Sequence, residues 1–240
     1  MVRGIRIMLL TKFFCHNWPA IFYFNFKMLP FRQAIHLPFD FYHQIRFNDL
    51  SGKVNIRSKK VYRGMIKIGG RGSDIFTRRC SVITLRGYME VGYGIELGTG
   101  ISLVIDKDAK FILGNNVRFG AFTKVYCNKQ IEMDNEIDFS WECQIFDTNF
   151  HYIKTLKDGQ IYPINSPIKI GSNVWVGNRV SVMKGTIIPN NTIVASNSLC
   201  NKDYSVIGEY ALLAGSPATM KKKGYKRLFE NVDYDPRRTP

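Results

Sequence analysis

An apolar residue returns at every sixth position through much of this chain, at Leu113, Phe119, Val125, Ile131, Ile137 and Cys143, and again at Ile170, Val176, Val182, Ile188 and Val194. Neither an amphipathic helix, with a period of about 3.6, nor a simple strand, with a period of about 2, produces that spacing. A triangular solenoid does. Each face is a short strand, each corner a turn, and three hexads close one coil, with the apolar residue stacked on its equivalent one coil away. Glycine follows the apolar residue at Gly114, Gly120, Gly171 and Gly177, and small or β-branched residues sit four places after it at Val117, Thr123, Val174, Val180, Thr186, Thr192 and Ser198. Asn115-Asn116, Gly171-Ser172-Asn173 and Asn190-Asn191 suit corners that ask for positive φ or close backbone approach. One coil cannot bury its own inner face, so several must stack.

Upstream the beat slips. Val91-Gly92, Leu97-Gly98 and Leu103 keep the spacing, the phase shifts before Leu113, and Ile66-Lys67-Ile68-Gly69 reads as an early coil. The chain is therefore expected to be mainly β, with a parallel β-helix over 54–207. Residues 152–168 break the hexads between two regular blocks, and a long loop inside a compact repeat is usually functional. Residues 1–53 are aromatic and basic and carry no hexads, which suits a cap over the open end of the solenoid, with a weak peripheral membrane contact as a second role. Residues 208–240 leave through Gly215-Ser216-Pro217 into a basic tail with Lys221, Lys222, Lys223, Lys226 and Arg227.

Composition narrows the classes. Five scattered cysteines form no C-x-x-C pair, which argues against a disulfide framework or a zinc site and suits a reducing compartment. Arg3 and Arg6 precede Ile7-Met8-Leu9-Leu10, a run too short for a signal peptide's apolar core, and no stretch approaches the ~18 apolar residues of a spanning helix. A cytoplasmic protein is expected, at most peripheral to the inner face of the membrane. The net charge of +15 favours anionic partners, whether nucleic acid, acidic lipid or a phosphorylated cofactor.

Three stretches carry more than periodicity. Ile170-Gly171-Ser172-Asn173-Val174-Trp175-Val176-Gly177 resembles an I-G-x-x-V-W-I-G coil. Ser198-Leu199-Cys200-Asn201-Lys202-Asp203 resembles an S-V-V-T-K-D turn, and Leu213-Ala214-Gly215-Ser216-Pro217-Ala218 resembles an A-G-N-P-A exit. Over 105–223 the chain thus resembles the hexapeptide-repeat acyltransferases, sugar and polysaccharide O-acetyltransferases among them. The resemblance implies a left-handed helix, acetyl-CoA as co-substrate with no metal, and a homotrimer with clefts between neighbouring solenoids. It also implies a carbohydrate acceptor and a loop that reaches over a neighbour's cleft.

His151 closes Asp147-Thr148-Asn149-Phe150-His151 where the hexads stop, and it matches the family's catalytic histidine; the other three histidines, His16, His36 and His43, precede the repeat. An imidazole can take a hydroxyl proton at neutral pH, so that the alcohol attacks the thioester directly. Asp147, Asn149 and Glu142 are candidates to orient it, Asp147 alternatively capping a turn. For coenzyme A the resemblance carries over to Asn178, Ser196, Asn201, Lys202 and Lys222, with Trp175 as core or groove wall. Where the family's sugar acetyltransferases place an acceptor-binding asparagine, this chain has Gly120, which disfavours a simple galactoside or maltose acceptor and leaves a hydroxyl on a polysaccharide precursor. The alternatives are an N-acetyltransferase acting on an amino-sugar and a non-catalytic scaffold. One histidine in the repeat cannot supply the three zinc ligands of a γ-class carbonic anhydrase, and no aromatic RNA-binding motif supports a nucleic-acid role.

Overall fold

The computed structural model describes residues 15–70 and 75–228. The run before Lys12 and the tail beyond Leu228, both singled out above, lie outside the described residues.

Three parallel sheets wind around one core as a left-handed β-helix. The first face runs through Phe39–Phe41, Ile66–Gly70, Ile95–Gly98, Val117–Phe119, Ile137–Phe139, Trp175–Val176, Ile193–Val194 and Ala211–Gly215. The second runs through Ile45–Leu50, Ser81–Leu85, Ser102–Ile105, Lys124–Cys127, Gln144–Phe146, Ser181–Met183 and Leu199–Cys200. The third holds Lys53–Ile56, Tyr88–Val91, Lys110–Leu113, Gln130–Met133, Ile168–Ile170 and Ile187–Ile188. The small residues four places after each beat, from Val117 to Ser198, are buried. Asn116, Asn173 and Asn191 adopt the left-handed conformation expected of their corners.

The beat itself needs correction upstream. Leu113 pairs with Met133, Phe119 with Phe139 and Val125 with Ile145, a repeat of 20 residues rather than 18. The preceding coil is longer still, Val91 pairing with Leu113 after 22. Only after the excursion does the strict form hold, with Ile170 on Ile188, Val176 on Val194 and Val182 on Cys200. Ile131, Ile137 and Cys143 are buried, but they are not the partners of Leu113, Phe119 and Val125. Side chains alternate across a strand, so a two-residue insertion keeps the inward parity and hides itself from a hydrophobic pattern. From Val91 to Cys200 every added residue falls at one corner, that between the second and third faces.

The boundaries also move. Phe39–Phe41, Ile45–Leu50 and Lys53–Ile56 form the first coil, so the solenoid begins inside the segment expected to be cap. Ile168 belongs to the third face rather than to the loop. At the far end Ala218–Lys223 turns back antiparallel on Ala211–Gly215.

The cap proper is the helix Trp18–Met28. Asn17 caps it by accepting from the Ala20 N–H at 3.1 Å, and Pro19 sits in the first turn, where its missing N–H costs nothing. Phe24 is buried against Phe39, Phe41 and Phe47, with centroids 4.8–5.6 Å away. Buried Asn25 accepts from the Phe39 N–H and donates to the Phe39 carbonyl, so it clips the helix to the first strand. This covers apolar surface that an open first coil would show to water.

Candidate active site

The excursion leaves the second face after Phe146 and returns at Ile168, closed at its tip by the hairpin Ile153–Lys154 with Ile161–Tyr162. Its neck is fixed from several sides. The Asn149 N–H reaches the Ile164 carbonyl at 2.9 Å, and the Ser166 N–H reaches the Asp147 carbonyl at 3.0 Å. Phe150 takes a left-handed φ of 62°, a costly conformation for a bulky residue, held by its N–H on Thr148 Oγ1 and by edge contacts to Tyr126 and Phe146. His151 follows at once, exposed at the corner between the second and third faces. Among the described residues its imidazole takes no hydrogen-bond partner within the chain.

Asp147 does not orient it. Both carboxylate oxygens are buried and accept backbone N–H groups, Oδ1 from Asn128 at 2.7 Å and Oδ2 from Lys129 and Gln130 at 2.7 Å each. Burial pushes the carboxyl above its usual range against the pull of those donors. The role of Asp147 is the turn cap, and the turn it caps contains the two residues by which this coil exceeds 18. Glu142 is also elsewhere, at the opposite corner, paired with Arg179 at 2.7 Å.

Beside the His151 neck stands a polar cluster that the sequence did not announce. Asp106 accepts from Arg86 at 3.1 Å, from Asn128 at 3.0 Å and from the Tyr126 hydroxyl at 3.3 Å. Burial raises the Asp106 carboxyl, but the Lys107 N–H and the Arg86 guanidinium outweigh it and the net shift is downward. Tyr126 is pushed up, by burial first and then by the Asp106 charge.

The residues matched to cofactor binding are spread around the prism. Asn201 and Lys202 occupy the same corner as His151 two coils later, about 10 Å along the axis at the usual strand spacing. Asn178 and Ser196 share the corner between the first and second faces, Ser196 Oγ donating to Asn178 Oδ1 at 2.6 Å. Roughly 10 Å of strand separates these two corners. Trp175 lies outward on the first face, half-exposed, with its Nε1 3.4 Å from Ser140 Oγ and the Arg227 guanidinium 5.6 Å above its ring. It is therefore a surface residue, not core. Arg227 also pairs with Asp138, which binds Arg118 from the other side. Lys222 sits on the closing strand opposite Leu212, its ammonium over Tyr225. Gly120 has a local reason: a Cβ there would lie 2.5 Å from the Ser140 carbonyl carbon, so no asparagine fits. Among the described residues no group of three His, Cys, Asp or Glu side chains is placed to hold a metal ion, and no described helix is long and apolar enough to cross a membrane.

No family model matches the chain. It is 25% identical over 163 residues to WbbJ of Escherichia coli (strain K12), provisionally named a lipopolysaccharide biosynthesis O-acetyl transferase, a match covering 62% of this chain and 82% of the relative. Among solved structures it is similar to the polySia-specific acetyltransferase NeuO, with a TM-score of 0.57 at 18% identity over 79% of this chain and 75% of that one. The polysialic acid O-acetyltransferase OatWY aligns with a TM-score of 0.46 at 18% identity, covering 80% and 96%.

Proposed function

We propose that this chain, which belongs with the hexapeptide-repeat acyltransferases, moves an acetyl group from acetyl-CoA to a hydroxyl of a sugar or polysaccharide precursor. The observation that carries the reading is His151: exposed, unpartnered among the described residues and held on a stiff neck at the one corner that collects every insertion from Val91 to Cys200. Its imidazole removes the acceptor hydroxyl's proton as the oxygen bonds to the acyl carbon; the carbon–sulfur bond breaks and the proton passes to the leaving thiolate. The residues fit a long, phosphate-bearing thioester: the ammonium of Lys202 for phosphate, the Asn178–Ser196 pair for an amide-rich arm, and Trp175 for an apolar wall.

The active unit is a homotrimer. Residues matched to one cofactor face outward from different sides of a single prism, so one chain cannot gather them, whereas a corner of one copy set against a face of the next can. The neighbour also offers the acceptor that His151 needs on its second nitrogen. The cap also suits a weak peripheral contact with the inner face of a membrane. Phe22, Tyr23, Phe26, Phe31 and Ile35 are all exposed on the cap, which has Lys27 and Arg32 but no acid from Trp18 to Leu37.

The test is thiol release from acetyl-CoA across a panel of carbohydrate acceptors, with light scattering on the same samples. Acceptor-dependent release by a trimer is expected. Release without any acceptor dependence refutes the transferase, and a fully active monomer refutes the shared cleft.

A further inference from the structure

The outer side of the second face holds a cleft of about 590 Å³ that no role above uses, lined by Phe122, Glu142 and Arg179 at the corner and by Ser102, Lys124 and Gln144 on the strands. Lys124 pairs in register with Ser102 on one side and Gln144 on the other, so these polar groups form a row at the ~4.8 Å spacing of neighbouring strands. Gln144 Nε2 donates to Ser181 Oγ at 2.7 Å and extends the row by one coil. Phe122 adopts a left-handed φ of 60°; Phe76 meets its ring edge-on at 5.4 Å, and the Arg79 guanidinium lies 5.2 Å over it. Three cations line the cleft against one carboxylate. Glu142 is already paired with Arg179, while Arg79 and Lys124 face the opening with no carboxylate partner among the described residues.

We propose that this cleft binds an acidic saccharide. The Phe122 ring and the hydroxyl–amide row take the sugar, and Arg79 and Lys124 take a carboxylate or phosphate carried on it. A single aromatic platform beside a row of hydroxyl and amide groups suits a glycan better than a nucleic acid, which stacks successive bases on successive rings. The identification of the ligand as an acceptor rests on the acyl-transfer reading. His151 stands at the other edge of the same face, roughly 10 Å of strand away, so a sugar held here leaves a neighbouring residue of the same glycan free to reach it.

Calorimetric titration of the full chain, without acetyl-CoA, against matched neutral, carboxylate-bearing and phosphate-bearing oligosaccharides tests this directly. The acidic ligands should bind more tightly than the neutral one, less so at high salt, and the stronger acidic arm names the anion. Arg79→Gln with Lys124→Gln should weaken the acidic ligands by ~2- to 30-fold and leave the neutral one unchanged, whereas Lys110→Gln on the third face should change nothing. Equal binding of neutral and acidic ligands, acidic binding untouched in the double variant, or equally tight capture of short single-stranded DNA through the same two side chains overturns the proposal. Because binding is read apart from the thiol-release assay, a protein that binds acidic glycans here but acetylates none there refutes the transferase and leaves the subsite standing. One that acetylates neutral glycans and binds acidic ones no better refutes the subsite alone.

Discussion

Between Tyr88 and the His151 excursion the coils take 22 and then 20 residues and enclose Met89, Phe111, Phe119, Met133 and Phe139; after it they take 18 and enclose Val176, Val182, Ile188 and Val194. The two halves share every hydrogen-bonded sheet, so the difference is not one of fold. From Tyr88 onward it lies at a single corner, where added residues leave the strands in register and loop-closure entropy grows only slowly with length. The narrow half is generic, and it carries Trp175, Asn178, Ser196 and Lys202, the residues proposed above for acetyl-CoA. The wide half is individual. It carries the cap, the Asp106 cluster and most of the cationic cleft, as expected if acceptor choice is written in the part free to vary.

Four experiments sharpen or break that contrast. The largest effect belongs to the boundary itself: His151→Ala should lower turnover by ~10²–10⁴-fold and leave coenzyme A binding to the narrow half intact. Near-normal turnover in the folded variant would remove the histidine from the chemistry. Next, Phe24→Ala in the cap should cost about 3–5 kcal/mol in denaturant unfolding, against about 2 kcal/mol for Val194→Ala in the narrow half. Equal losses would mean the cap is not what seals the wide end. Asp147→Ala should cost about 2–4 kcal/mol by taking the acceptor from three part-buried N–H groups, and should lower kcat with little change in the acetyl-CoA KM; Asp147→Asn, which keeps one acceptor oxygen, should recover part of both. If Asp147→Ala lowers stability but leaves kcat unchanged, the inserted turn does not position the neck. The smallest effect is at Glu90, whose carboxyl is held at about 2 by the Tyr88 hydroxyl first and then by Asn55 and Arg57. A depressed folded pKa contributes stability above the unfolded value of 4.5 and loses it as pH falls toward 2. Melting curves of Glu90→Gln should therefore run below wild type at neutral pH and converge with it near pH 2.

The same contrast explains what could be read from the chain. The narrow half is legible because each residue's role repeats at a fixed interval, and Ile170 to Gly177 states a whole coil. The wide half misleads quietly: Ile131 keeps the beat and is buried, yet Met133 is the partner of Leu113. His151 stood out because it interrupts a pattern. Asp147 did not reveal its work, since its partners are backbone groups 17–19 residues earlier, brought alongside only when the coil closes. Nor could the hexads reveal that Arg227 folds back to Asp138, 89 residues away.

The antiparallel return of Ala218–Lys223 has a further consequence. A stack of parallel coils has no natural last member, and its final strand is a template on which another chain can continue the sheet. Here the final strand runs the wrong way for another parallel coil and bears Lys221, Lys222 and Lys223 side by side, all exposed. A second molecule approaching end-on meets like charge and mismatched polarity together. Whatever else these lysines do, they keep a fold that could grow into a filament finite.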